Sequence, residues 1–173
     1  MSYKKNIVLI GFMGCGKSTL GSRLAYKLKY SFVDSDRRIE DEMKMSINEI
    51  FEKYGEQYFR EVEKDVIRKM SKIDKQVIAT GGGVIKDCEN VEELKKKGII
   101  VYLEATPEHI YSNLKNDNSR PLLQGGDKLQ IITDLLKQRE GLYNKCADIV
   151  INVNDSTIND TVDNMIKKLG GMI

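Results

Sequence analysis

Residues Gly11 to Thr19 read G-F-M-G-C-G-K-S-T, a match to the phosphate-binding pattern G-x-x-x-x-G-K-[ST]. The run before it, Ile7-Val-Leu-Ile10, is apolar without alternation, as a strand buried on both faces of a parallel sheet must be. The run after it carries Leu20, Leu24, Ala25 and Leu28 at helical spacing and predicts a helix ending near Lys29. Glycines 11, 14 and 16 let the backbone curl into a nest of N–H groups, to which the following helix adds its positive end. A polyphosphate suits such a nest. Gly14, Cys15, Gly16, Lys17, Ser18 and Thr19 are therefore the expected nucleotide contacts, with Lys17 reaching the β- and γ-phosphates and the Ser18 hydroxyl on Mg²⁺. A glycine-rich turn that binds nothing is the alternative, and it needs neither the Lys-Ser pair nor the strand and helix around it.

Further along, Ser31-Phe-Val-Asp34 predicts a second strand, and Asp34-Ser-Asp36 falls at its carboxyl end, where open parallel sheets bind ligands. Two readings fit these carboxylates: a binding edge, or a helix cap made by Ser35 or Asp36. A charged helical pattern from Asp36 to Lys53 breaks at Gly55. A longer one from Glu56 to Lys72 turns Phe59, Val62, Val66 and Met70 inward, and Arg60 sits off the centre of that stripe, where an arginine is ordinarily a solvated charge.

Gln76-Val-Ile-Ala-Thr80 predicts the third strand and runs into Gly81-Gly82-Gly83, which is either a flexible turn or an edge stripped of side chains so that a ligand can touch backbone. This strand lacks the terminal aspartate that often serves Mg²⁺ in such sites, which leaves Asp34 as the expected substitute. A helix is expected over 87–96, a fourth strand over 99–103, a helix opened by Pro107, a helix over 128–144 carrying Arg139, a fifth strand over 148–152, and a terminal amphipathic helix. Between them, Lys115 to Asp127 (K-N-D-N-S-R-P-L-L-Q-G-G-D) is polar and glycine-bearing, and is expected to be a mobile lid with Arg120 over the phosphates. Strands alternating with helices predict a three-layer α/β/α fold with a five-stranded parallel sheet and one domain over 1–173. Within it, 34–61 is the expected substrate-binding region and 115–127 the lid.

With 28 basic and 26 acidic side chains the net charge is +2, so no overall field gathers nucleic acid or an anionic membrane. No apolar run approaches a membrane span. Three cysteines, 15, 88 and 146, match no metal or redox spacing, and reduced thiols in the cytoplasm are the simplest account. Cys15 is expected to fill the loop.

In order and spacing, G-F-M-G-C-G-K-S-T, D-S-D, G-E-Q-Y-F-R, the glycine triplet, R-P-L-L and Q-R-E-G-L-Y resemble the shikimate kinase family across nearly the whole chain. The resemblance implies a P-loop NTPase fold with strand order 2-3-1-4-5, ATP and Mg²⁺, phosphorylation of the 3-hydroxyl of shikimate on the way to chorismate and aromatic amino acids, and a monomer. It also implies that Asp36 meets the reacting hydroxyl and that Arg60 and Arg139 hold the substrate carboxylate. Gly81, Gly82 and Gly83 would line the substrate, with Gly82 offering its N–H, while Lys17, Asp36 and Arg120 carry catalysis. Some family members hold adenine with an arginine where this chain has Asn113 or the Asn154-Asp155-Ser156 turn. The alternatives are a P-loop kinase of another small anionic polyol or nucleotide, and a non-catalytic nucleotide-binding regulator.

Overall fold

The computed structural model describes residues 6–173, so the lysine-bearing start lies outside the described residues. Five parallel strands, β1 (Asn6–Ile10), β2 (Ser31–Asp34), β3 (Gln76–Ala79), β4 (Gly98–Glu104) and β5 (Ile149–Asn152), lie in the order β2-β3-β1-β4-β5. Between and after them run helices α1 (Lys17–Leu28), α2 (Ser35–Met43), α3 (Ile47–Ser71), α4 (Cys88–Lys97), α5 (Pro107–Leu114), α6 (Lys128–Cys146) and α7 (Ile158–Leu169). Short 3₁₀ turns occupy Val84–Lys86 and Pro121–Leu123.

Both faces of the sheet are covered, which is why its central strands carry no polar alternation. Ile7 and Leu9 of β1, with Ile99, Val101 and Leu103 of β4, pack on one side with α1, α5 and α7. Val8 and Ile10, with Ile100 and Tyr102, pack on the other with α3 and α4. Helix α6 crosses from one layer to the other, giving Ile132 and Leu136 to the first and Tyr143 and Cys146 to the second.

Register places the strand ends level. Ala79 pairs with Leu9 of β1 on one side and with Asp34 of β2 on the other. Thr80 then fastens the end of β3 to β1, its N–H and hydroxyl both donating to the Leu9 carbonyl at 3.2 and 2.9 Å. The phosphate-loop sequence, Asp34-Ser-Asp36 and the glycine triplet thus leave one edge of the sheet together.

The expected helix over 36–53 is two helices. Lys44 takes φ 55° and ends α2, and Ser46 starts α3 with a capping box, its side chain accepting from Glu49 N–H while the Glu49 carboxylate accepts from Ser46 N–H. The S-x-x-E pattern at 46–49 carried that boundary in the sequence. Helix α3 is kinked where the break at Gly55 was expected, with φ 84° and ψ 172° there. A Cβ at Gly55 would meet nothing within 4 Å, so its need for glycine is conformational alone.

Two substitutions separate backbone strain from crowding. Gly55→Ala should destabilise by about 1–3 kcal/mol despite the open space, because only glycine takes that backbone readily. Gly141→Ala, inside α6 and equally uncrowded, should stabilise by about 0.5–1 kcal/mol. Urea titrations of both variants check the pair; equal shifts in the same direction would refute the distinction.

Candidate active site

The loop after β1 closes on itself. Gly16 caps α1 with φ 100°, and Gly14, at φ 77°, lies so close to α5 that a Cβ there would sit 2.6 Å from Leu114 Cγ. Asn113 donates to the Gly14 carbonyl at 2.8 Å, so the end of α5 braces the loop. Lys17, only 9% exposed, turns back over the loop and donates to the carbonyls of Gly11 (2.7 Å) and Phe12 (2.9 Å). Cys15 is buried in the apolar layer beneath, as a filler.

Asp34 has two jobs. Its Oδ1 accepts from the backbone N–H groups of Asp36 (3.0 Å) and Arg37 (3.2 Å), so the cap of α2 is Asp34 and not Ser35 or Asp36, because the helix begins one residue earlier than expected. Its Oδ2 faces the loop and accepts from Ser18 Oγ at 2.7 Å. Ser18 and Asp34 thus present oxygen donors side by side. That set suits Mg²⁺, which is commonly held by one or two carboxylates together with phosphate oxygens and water rather than by a full protein cage. No group of three or more His, Cys, Asp or Glu side chains suited to a metal occurs among the described residues.

The glycine triplet is where the expected substrate residues meet. A Cβ on Gly81 would lie 2.6 Å from Asp36 Oδ1, one on Gly83 would lie 2.6 Å from an Arg60 terminal nitrogen, and one on Gly82 would lie 3.6 Å from Arg139 Nη1. Three charged side chains from α2, α3 and α6 therefore reach three consecutive residues. The triplet is not a loose turn. Gly81 N–H donates to Ser35 Oγ at 3.0 Å, the carbonyls of Gly81 and Gly83 accept from Val84 N–H and Lys86 N–H, and the Gly82 carbonyl accepts from Tyr143 Oη at 2.8 Å. The expectation of an open N–H thus fails for Gly81. Gly82 N–H takes no partner among the described residues.

Each charge has a distinct setting. Burial raises the Asp36 carboxyl above the ordinary carboxylate range, neighbouring Asp34 adds to the rise, and Lys17 and Arg120 oppose it. Arg60 donates to Glu63 at 2.8 Å and reaches Glu56 at 3.4 Å. Glu63 is 1% exposed, and burial raises its carboxyl against the pull of Arg60. Arg139 is 7% exposed and stacks over the Phe12 ring at 5.6 Å. Beside it Tyr143, wholly buried and stacked on Tyr102 with centroids 5.0 Å apart, has its phenol pushed up to about 12 by burial, with Arg139 pulling the other way. Burial also lowers the Lys86 ammonium, and the like charges of Arg139 and Arg60 lower it further. Arg120, on the far side, donates through Nε to Asp117 at 3.3 Å.

Sequence reasoning missed Glu63, Tyr143, Lys86 and Asp117. Glu63 had a signal: it falls at the four-residue step between Phe59 and Ile67 on the buried face of α3, where a carboxylate needs a partner. Tyr143 had one too, since Ile132, Leu136, Arg139, Tyr143 and Cys146 form the buried stripe of α6.

A phosphate-binding loop at the edge of a 2-3-1-4-5 parallel sheet, facing a carboxylate and two guanidiniums, defines a P-loop phosphotransferase for a small anionic acceptor. A family model described as shikimate kinase matches residues 13–170. A shikimate kinase of Caldanaerobacter subterraneus subsp. tengcongensis is 45% identical over 163 residues, spanning 94% of this chain and 95% of its own length. One from Caldicellulosiruptor saccharolyticus is 51% identical over 150 residues, 87% of each chain. The solved structure of shikimate kinase from Acinetobacter baumannii in complex with shikimate matches with a TM-score of 0.91 at 39% identity, covering 97% of this chain and 94% of that one. The chain belongs to the shikimate kinase family.

Tyr143→Phe removes the phenolic bond to the Gly82 carbonyl while keeping the stack on Tyr102. It should cost about 1 kcal/mol of stability, read as a lower midpoint in urea at unchanged slope; an unchanged midpoint means the bond contributes nothing to holding the triplet.

Proposed function

We infer that this protein is a kinase that transfers the γ-phosphoryl group of ATP to the 3-hydroxyl of shikimate, giving shikimate 3-phosphate on the route to chorismate and aromatic amino acids. Family membership supports the reaction. The observation that carries the residue roles is the approach of Asp36, Arg60 and Arg139 to the three consecutive glycines at the phosphate-loop edge.

In this reading the phosphates lie on the N–H groups of Gly14 to Thr19. Lys17 exchanges its carbonyl partners for the β- and γ-oxygens, since a charged acceptor makes the stronger bond. Ser18 and Asp34 are the residues that would hold Mg²⁺, which when bound supplies neutralising charge at the phosphate oxygens. Arg60 and Arg139 grip the acceptor carboxylate with planar donors that an ammonium does not match. Gly82 donates its N–H to the acceptor, and Gly81 and Gly83 contribute closeness. Asp36 then faces the hydroxyl that attacks. As the new O–P bond forms and the bond to the β–γ bridging oxygen breaks, the hydroxyl proton passes to the Asp36 carboxylate and ADP carries off the electron pair. Arg120 stabilises the charge on the transferring group. The raised Asp36 basicity favours taking that proton at neutral pH. We place the enzyme in the cytoplasm as a monomer; among the described residues no helix is long and apolar enough to cross a membrane.

Turnover with shikimate, measured beside gluconate and nucleoside monophosphates, tests the acceptor: shikimate should be used and the others not. Preference for gluconate or a nucleotide would overturn it.

Because the Asp36 carboxyl titrates above its ordinary range in the free protein, its basic form is lost early on acidification. Hence kcat/KM for shikimate should fall as pH drops through a value above the usual aspartate range. Asp36→Asn should abolish that limb and lower kcat by about 10²-fold or more while leaving ATP affinity unchanged. Parallel loss of ATP binding would assign Asp36 to the nucleotide instead.

A further inference from the structure

The segment 115–127 was expected to be loose, yet its first half is pinned. The Asp117 carboxylate accepts from Ser119 N–H at 2.8 Å and from the Ser119 hydroxyl, and its other oxygen accepts from Arg120 Nε at 3.3 Å. On the opposite side of the same residue, Asn48 in the first turn of α3 donates from Nδ2 to the Ser119 carbonyl at 3.2 Å. Residue 119 is thus held at its N–H, its side chain and its carbonyl, and the next Cα is that of Arg120. Beyond it, the Arg120 carbonyl accepts from Leu123 N–H at 3.1 Å, and Leu123 is buried in the core layer. Lys128 holds the near end, donating to the carbonyls of Leu114 (3.0 Å) and Asp117 (2.9 Å).

The orientation of the pair matters more than its strength, since both groups are partly exposed and such pairs contribute little stability. Asp117 engages Nε only. The two terminal nitrogens of Arg120 take no partner among the described residues, and they are the pair that can fork onto phosphate oxygens. Arg120 also lies near enough to Asp36 for its charge to oppose the rise of that carboxyl.

We propose that Asp117 and Asn48 are positioning residues for phosphoryl transfer: together they clamp residue 119 and the Nε edge of Arg120, so that the terminal nitrogens are aimed at the transferring group before ATP arrives. The inference rests on the reading of Arg120 as the phosphate-binding arginine. Asn48 belongs to the substrate-binding region and Ser119 to the lid, so the clamp also ties the aim of Arg120 to the position of the helix that bears Arg60. Pre-aimed charge helps because no reorganisation is then needed as the phosphoryl group moves, and small errors in aim are costly.

A double-mutant cycle tests this. Asp117→Asn keeps an oxygen for Ser119 but loses the charge that holds Nε, and it should lower kcat about tenfold with the KM for shikimate within about twofold of the parent. Asn48→Ala should act in the same direction by about threefold. Arg120→Ala alone should cost roughly 10³-fold in kcat, and adding Asp117→Asn or Asn48→Ala to it should cost nothing more. If Asp117→Asn leaves kcat unchanged or raises it while Arg120→Ala is costly, the clamp is refuted and the role of Arg120 stands. A full additional loss in the Arg120→Ala background also refutes it, since Asp117 then acts elsewhere. An inert Arg120→Ala overturns the phosphate reading itself, and the clamp with it.

Discussion

The site depends on an absence of side chains at residues 81–83. An aspartate and two arginines converge there: Asp36 and Arg60 lie 2.6 Å from where a Cβ on Gly81 or Gly83 would sit, and Arg139 lies at ordinary contact distance, 3.6 Å, from one on Gly82. None of the three glycines adopts a positive φ, so their backbone is open to any residue. At 81 and 83 the requirement is steric. Alanine at 81 or 83 would push a charged group away from the sheet edge, and the arrangement would lose its floor. Because Thr80 ties the triplet to β1 through the Leu9 carbonyl, that floor stands level with the strand end from which the phosphate loop departs. One stretch of backbone therefore sets the distance between the three converging charges and the loop after β1.

Bringing these charges together has a cost, and the surrounding residues offset it. Arg60 would be poorly compensated against Arg139 and Lys86 without Glu63, and Glu63 would be an unsatisfied buried carboxylate without Arg60. Arg139 has no acid partner among the described residues. It is held instead by the face of Phe12, which belongs to the phosphate loop, and by Tyr143. Its charge is thereby left for a ligand anion. One arginine is pre-paired and rigid, the other is stacked and electrostatically unspent, a combination suited to a small carboxylate entering from solvent.

How much of this was legible depended on the kind of signal. Local chemistry read well: G-x-x-x-x-G-K-S-T, the apolar strands and the Gly55 break carry their meaning within a few residues, and the sheet order followed from the family those motifs resemble. The convergence of Asp36, Arg60 and Arg139 was known only through that resemblance, since their placement depends on how α2, α3 and α6 dock. Where the reading failed, a single residue type had been taken at face value. The charged run 36–53 looked like one helix because charge masks the capping box at Ser46 and Glu49. Tyr143 went unread, although the period set by Ile132, Leu136 and Cys146 passes through it and Arg139. In both cases position along the helix decided against composition.

The end of α5 joins the two parts of the site expected to behave differently. Leu114 packs where a Gly14 side chain would be, Asn113 bonds the Gly14 carbonyl, and one residue later the lid begins. Asn113, where the resemblance led one to look for an adenine contact, donates its amide to the Gly14 carbonyl. The Asn154 side chain is likewise engaged, accepting from Thr106 N–H at 2.9 Å. Lys128 completes the junction by tying the last carbonyls of α5 to the start of α6. The stem of the segment 115–127 is anchored on the residues that shape the loop after β1, and residue 119 is held by Asp117 and Asn48, so the segment is tied to that loop and to α3 at once. One helix end thus braces both the loop after β1 and the stem of that segment.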